Sequence, residues 1–188
     1  MTTATAPGIA PPSASAAATP FASTAVRYMA VPAQLTFEYG IALVKDIPAE
    51  KFAHMPHPTM NHAAFNLGHL TIYPNRILML LGRNDLIVDN PRYTELFAAG
   101  KPCVEQDGRY PDKSEIVHEY IAGYRRALEI LPTVTDDVLA KPNPIEGRMR
   151  ERFPLVGIAV NFLLNNHHMS HLGQVSAWRR AIGLGSVM

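Results

Sequence analysis

Two histidines near the end of the chain have a spacing that could place two imidazoles on one metal ion. His167 and His171 are four residues apart in a segment whose pattern predicts a helix. Four residues of an α-helix advance by about 400°, so the two side chains stack on one face, one turn apart. Neutral imidazole suits zinc, nickel, copper and iron. The spacing therefore indicates a candidate pair of metal ligands.

The apolar residues around the pair predict which face of the helix it occupies. At about 100° per residue, one apolar stripe contains Val156, Val160, Leu163, Leu164, Val175, Trp178 and Ile182. The midpoint between His167 and His171 falls at the centre of this stripe, whereas His168 falls about 80° away, on its flank. We therefore expect the pair 167/171, rather than 168/171, to point into the core.

A third histidine on another helix would complete the site. His69 lies on an inward stripe with Phe65, Ile72, Ile77 and Leu80. A lone inward histidine is more often structural, and an isolated pair is a weak signal. Together the three predict a metal site, because buried imidazoles without partners cost about 1–3 kcal/mol each. Three ligands from two helices leave coordination positions open, as in reactive sites.

The other histidines in the first half of the chain fit a metal site less well. His54 and His57 lie in or near a proline-rich loop, so we expect both to be exposed to solvent. His62 lies two turns before His69, too far to share its ion, and could at most line a pocket mouth. Cys103 is interpreted as a small apolar residue rather than a reactive thiol.

The pattern of the whole chain predicts an all-α fold, a four-helix bundle with one long connection between helices two and three. The predicted helices are 24–45, kinked or split at Pro32; 60–81, kinked at Pro74; 112–131; and 154–182, ended by Gly183. Asp112 and Glu115 predict a capping box. The connection 83–111 should hold one short helix at 93–99, and a brief helical turn should follow Thr135. Residues 1–22 are interpreted as a disordered or draped arm, and residues 23–188 as the bundle.

Composition excludes several classes of protein. The net charge of +1 provides no basic surface for nucleic acid, and no apolar run is long enough to span a membrane. The single cysteine excludes an intrachain disulfide, and no lysine or arginine precedes Arg27, so a signal peptide is not expected. We therefore expect a cytoplasmic protein.

At these motifs the sequence resembles the DinB/YfiT-like superfamily over about residues 25–185. The resemblance rests on Gly68-His69-Leu70, on His167 and His171 followed by Gly173-Gln174, and on the ending 178–183. It implies that the three histidines are the metal ligands and that the protein forms a homodimer, since relatives often pair. Characterised relatives look like thiol-dependent transferases or isomerases.

The resemblance and the residues together favour a metal-dependent thiol S-transferase. We expect zinc or nickel in purified protein, with iron also possible in the cell, and a small-molecule thiol as one substrate. Asn66, Tyr73 and Arg76 share the inward stripe of His69 and are candidate pocket residues, and Arg76 could hold an anionic thiol. Alternatively, Asn66 makes an interhelical hydrogen bond and Arg76 pairs at the bundle end.

Two other functions stay open at this point. One is a non-catalytic, stress-related protein that binds a metal or another ligand. The other is a metal-dependent hydrolase, which the sequence favours less because the inward face of the last helix offers no aspartate or glutamate as a general base.

Overall fold

The computed structural model describes residues 20–187, and within them the chain is helical, without a strand. The predicted arm therefore lies almost wholly outside the described residues. The helices are α1 (Thr24–Lys45), α2 (Ala63–Leu70), α3 (Tyr73–Leu80), α4 (Pro91–Phe97), α5 (Lys113–Glu129), α6 (Asp136–Leu139), α7 (Arg148–Arg152), α8 (Val156–Asn161) and α9 (His168–Ala181). A π-helical turn, Phe162–His167, joins α8 to α9.

Helix α1 continues through Pro32, so of the two predicted alternatives, a kink or a split, the split is wrong. A proline inside a helix costs about 3 kcal/mol. Burial outweighs that cost here, because the face formed by Met29, Ala33 and Phe37 is buried on both sides of the proline. The Ser23 hydroxyl caps the start of α1 by accepting from the Val26 amide at 3.1 Å.

The second predicted helix is two helices, with a break at Thr71 and Ile72. Pro74 lies in the first turn of α3, where a missing amide proton costs nothing, and it cannot donate to the carbonyl of Leu70. The effect of Pro74 is therefore larger than the predicted kink. The break places His69 in the last turn of α2, directly before α3.

The π-helical turn changes the phase of the last helix. Before it, Val156 and Val160 are buried; after it, His168, Leu172 and Val175 are all 0% exposed. A π turn holds more residues than an α turn, so a wheel drawn at a constant angle fails beyond residue 162. The prediction that His168 lies on the flank is wrong: His168 points into the core, and His167 and His171 lie beside it, half-buried.

Helix α5 lacks the predicted capping box, because the Asp112 side chain makes no hydrogen bond to the helix. Glu115 instead accepts from the Tyr93 hydroxyl at 3.3 Å. This contact ties α5 to α4, the short helix of the long connection. The predicted turn after Thr135 is present as α6, and the chain leaves the last helix at Gly183 with φ 84°.

The longer helices pack side by side around the core. α1 contacts α5 and α9, α2 contacts α4, α5 and α9, and α3 contacts α5 and α8. The α2–α9 contact is the one that positions the histidines. Across residues 20–187, no helix has the combined length and apolarity needed to cross a membrane.

Candidate metal centre

The structure brings His69, His167 and His171 together between α2 and α9. One candidate ligand atom from each residue lies within 4.8 Å of those of the other two. The ring centroids are separated by 4.6 Å for His69–His171, 4.7 Å for His167–His171 and 5.4 Å for His69–His167. Residues about 100 positions apart in the sequence therefore share one small site.

The orientation of the His69 ring is fixed from helix α4. Its Nδ1–H donates to the carbonyl oxygen of Phe97 at 2.7 Å. The remaining lone pair on Nε2 accepts from the Tyr73 hydroxyl at 3.0 Å. Phe97 also packs its ring over Gly68, where a Cβ atom would lie 2.6 Å from the ring. The backbone of α4 thus selects the nitrogen of His69 that faces the site.

The orientation of the His171 ring is fixed from helix α2. Its Nδ1–H donates to Oδ1 of Asn66 at 3.0 Å. The Asn66 amide cannot turn around, because its NH₂ group donates to the carbonyls of Asn61 and His62 at 3.1 and 3.3 Å. A second-layer acceptor of this kind sets the tautomer of a metal-binding histidine. The lone pair of His171 is therefore on Nε2.

His167 carries a buried polar atom without a partner. Among the described residues, nothing hydrogen-bonds to its Nδ1. Burial, and then the neighbouring His171, His69 and Arg76, lower the pKa of His167 to about 3. Burial, and then His69, lower the pKa of His171 to about 4, and burial also lowers the pKa of His69. All three rings are neutral at pH 7, so the donor set fits a divalent cation.

The candidate pocket residues have different positions. Asn66 is 0% exposed and supports His171 rather than lining open space. Tyr73 is buried beside His69 and His167, and burial raises its pKa against the opposing effect of Arg76. Arg76 is exposed, with its guanidinium 5.2 Å from the centroid of the Tyr73 ring. It also borders a cavity of about 640 Å³ whose lining includes Arg126, Glu95 and Glu119.

The remaining histidines lie outside the group. His54 bonds to Glu105 and His57 to Thr59, and both are exposed. His62 is 0% exposed and caps α2: Nδ1 accepts from the Phe65 amide at 3.0 Å, and Nε2–H donates to the Val104 carbonyl at 2.9 Å. It is therefore structural and does not line a pocket mouth.

His168 belongs to the core behind the site. Its Nε2 accepts from the Tyr120 hydroxyl at 2.7 Å, and its ring stacks on Tyr124 with centroids 4.0 Å apart. Phe97 is the functional residue that sequence reasoning missed. Its contribution is a backbone carbonyl, which every residue has, so no residue-type signal marks it.

A model of the DinB superfamily matches residues 36–175, a stretch that contains all three histidines of the site. No curated protein and no solved structure matches the chain.

Proposed function

The chain belongs to the DinB superfamily, and on this premise we propose that it binds a divalent metal ion through His69, His167 and His171 and acts as a thiol S-transferase. The observation that carries the proposal is the fixed orientation of two rings: the Phe97 carbonyl and the Asn66 amide each engage Nδ1, so the lone pair of each ring is on Nε2, facing the site. The buried Nδ1 of His167, without a partner among the described residues, supports it.

The residues of the group favour thiol chemistry over hydrolysis. The group contains three histidines and no carboxylate, so it offers no general base of the kind that hydrolysis needs. A bound divalent cation would supply Lewis acidity and favour the thiolate form of a thiol. Arg76, at the edge of the site, would orient an anionic group of the thiol or of its partner substrate.

The proposal extends to the arrangement of the helices and to assembly. We take the packing of α1, α2–α3, α5 and α8–α9 as the family's four-helix bundle, in a cytoplasmic homodimer. A stripe of exposed apolar side chains on α1 supports pairing: Tyr28, Val31 and Leu35 are 77%, 52% and 63% exposed. Sedimentation of the purified protein tests this, and a monomer at micromolar concentration would contradict it.

Elemental analysis of purified protein tests the metal site. Zinc or nickel should be present at about one ion per chain. His167→Ala and His171→Ala should lose most of it, whereas His57→Ala, which changes an exposed histidine outside the group, should retain it. Unchanged metal content in both site variants would contradict the proposal.

Titration with thiols tests the thiol part separately. Cobalt-loaded protein should develop a sulfur-to-cobalt charge-transfer band when 2-mercaptoethanol or glutathione is added. If protein that binds cobalt normally shows no band with either thiol, the proposed transferase activity is contradicted. That result would leave a protein that binds a metal without thiol chemistry.

A further inference from the structure

The Tyr73 hydroxyl lies on the ring nitrogen that a cation would need. His69 has two nitrogens, and Nδ1–H is committed to the Phe97 carbonyl at 2.7 Å. The one lone pair of the neutral ring is therefore on Nε2, where the Tyr73 hydroxyl donates at 3.0 Å. A single lone pair cannot accept this hydrogen bond and bind a cation at once. One of the two partners must leave.

We propose that Tyr73 is an exchangeable cap on His69 that becomes a hydrogen-bond donor to the substrate. In the metal-free protein its hydroxyl satisfies Nε2 of His69. When a cation takes that nitrogen, the hydroxyl turns to the anionic sulfur or oxygen of a substrate in the site. This inference rests on the proposed function, because it needs the cation to bind His69.

The packing around Tyr73 keeps the displaced hydroxyl close to the histidines. The side chain is buried, with 8% exposure, and its ring centroid lies 4.1 Å from that of His167 and 4.9 Å from that of His69. A hydroxyl displaced from His69 therefore stays beside the histidines. A neutral hydroxyl donor beside a cation is suited to an anion, since hydrogen bonds to charged acceptors are the stronger ones.

The position of Arg76 supports the same ligand chemistry. Its guanidinium lies 5.2 Å from the Tyr73 ring centroid, so a positive charge and a hydroxyl donor occur side by side. Arg76 is one turn beyond Tyr73 on α3. Both follow the break after α2, so they approach the site from a different helix than His69 does. An anionic thiolate or carboxylate is the class of ligand that this pair would bind.

The metal affinity of Tyr73→Phe tests the competition between the Tyr73 hydroxyl and the cation for Nε2 of His69. This variant keeps the ring and removes the competitor for Nε2, so zinc, measured against a competing chelator, should bind about two- to tenfold more tightly. Tyr120→Phe is the matched control, because it removes a hydrogen bond of the same kind from His168, outside the group. Its zinc affinity should stay within about twofold of the original. Unchanged or weaker zinc binding by Tyr73→Phe would overturn the proposal.

Thiol binding tests the second role, and the expected change has the opposite sign. Cobalt-loaded Tyr73→Phe should need about two- to tenfold more 2-mercaptoethanol to reach half of the charge-transfer band. If the Tyr73 hydroxyl were purely structural, removing it would not strengthen zinc binding and weaken thiol binding at the same time. Tyrosinate absorption on loading the original protein, absent from Tyr73→Phe, would show Tyr73 to be a ligand and would also overturn the proposal.

The failure of this inference differs from the failure of the proposed function. If the original protein binds zinc through the three histidines but Tyr73→Phe binds no more tightly, only the inference about Tyr73 falls. If the original protein binds no ion, both fall.

Discussion

At the scale of single residues, the site depends on which imidazole nitrogens are free. His69 and His171 reach the same tautomer through different acceptors, a backbone carbonyl on α4 and an amide oxygen on α2. The two rings are thus oriented before any ion binds. This preorganisation reduces the ordering that binding must impose.

Removing the Asn66 acceptor should weaken metal binding. Asn66→Ala leaves Nδ1 of His171 without its acceptor and frees the ring to turn, so we expect zinc affinity to fall about 10- to 100-fold. Chelator competition measures it. Asn143→Ala is the control, since Asn143 is equally buried but bonds to the Phe153 carbonyl, away from the histidines. It should lower the unfolding temperature without changing zinc affinity. Equal zinc affinities for Asn66→Ala and the original protein would contradict this role.

Residue types in the sequence predict the three histidines but not what orients them. Histidine is a distinctive residue type, and the spacing of His167 and His171 can be compared with the geometry of a helix. The sequence predicts Asn66 near the site, with an interhelical hydrogen bond as one alternative, and the bond that it accepts from His171 fits that alternative. The Phe97 carbonyl could not be found, because its position depends on how a long connection folds back over α2.

At the scale of elements, a helical wheel with a constant angle per residue predicts the wrong inward face for the last helix. The stripe centred on His167 and His171 is continuous only if every turn is α-helical. The π turn Phe162–His167 moves the core face to His168 and Leu172. Nothing in residue types marks such a turn, whereas proline did mark the break before α3. The three histidines nonetheless come together, because the flank of α9 faces α2.

A substitution at Gly68 should alter the candidate metal site through helix α4. Gly68→Ala places a Cβ atom 2.6 Å from the Phe97 ring, which must move and carry its carbonyl away from His69. We expect a loss of about 1–3 kcal/mol in the free energy of unfolding, together with weaker zinc binding.

Gly173→Ala is the control for this prediction. It adds the same methyl group on α9, two residues from His171, where nothing lies within 4 Å. A helical glycine costs about 0.5–1 kcal/mol relative to alanine, so this variant should unfold at a higher urea concentration and bind zinc normally. Equal urea midpoints and zinc affinities for Gly68→Ala and the original protein would show that α4 does not support the site.

At the scale of the whole molecule, one buried arginine joins the end of the first helix to the last helix and the C-terminal segment. Arg179 on α9 is 2% exposed and donates to the Leu43 carbonyl at 2.6 Å, to the Gly185 carbonyl and to the Asp46 carboxylate. The end of α1, the last helix and the C-terminal segment thus meet at one guanidinium. A buried charge left without its partner is strongly destabilising.

This contact should give the protein an acid-sensitive stability. The hydrogen bond from Arg179 holds the pKa of Asp46 below its usual 3.8, with Lys113 adding to the effect and partial burial opposing it. Because the folded pKa is the lower one, this stabilisation is fully present above about pH 4 and is lost as the pH falls through the folded pKa.

Urea unfolding at several pH values tests whether the stabilisation by Asp46 and Arg179 is lost as the pH falls. Asp46→Asn should lose about 1 kcal/mol at pH 6, and the difference from the original protein should shrink as the pH falls below 4. Comparing the two proteins cancels the titration of other carboxylates, such as Asp85 and Asp107. A difference that stays constant between pH 6 and pH 3 would show that the Asp46 charge does not contribute.

The distance along the chain between the three candidate ligands has a consequence for how the protein is made. His69 leaves the ribosome about 100 residues before His167, which at about 5–20 residues per second is a delay of at least several seconds. During that time its hydroxyl partner, Tyr73, is already present four residues away. We expect the ion to be acquired only after synthesis, so protein translated without metal should load fully when zinc is added afterwards.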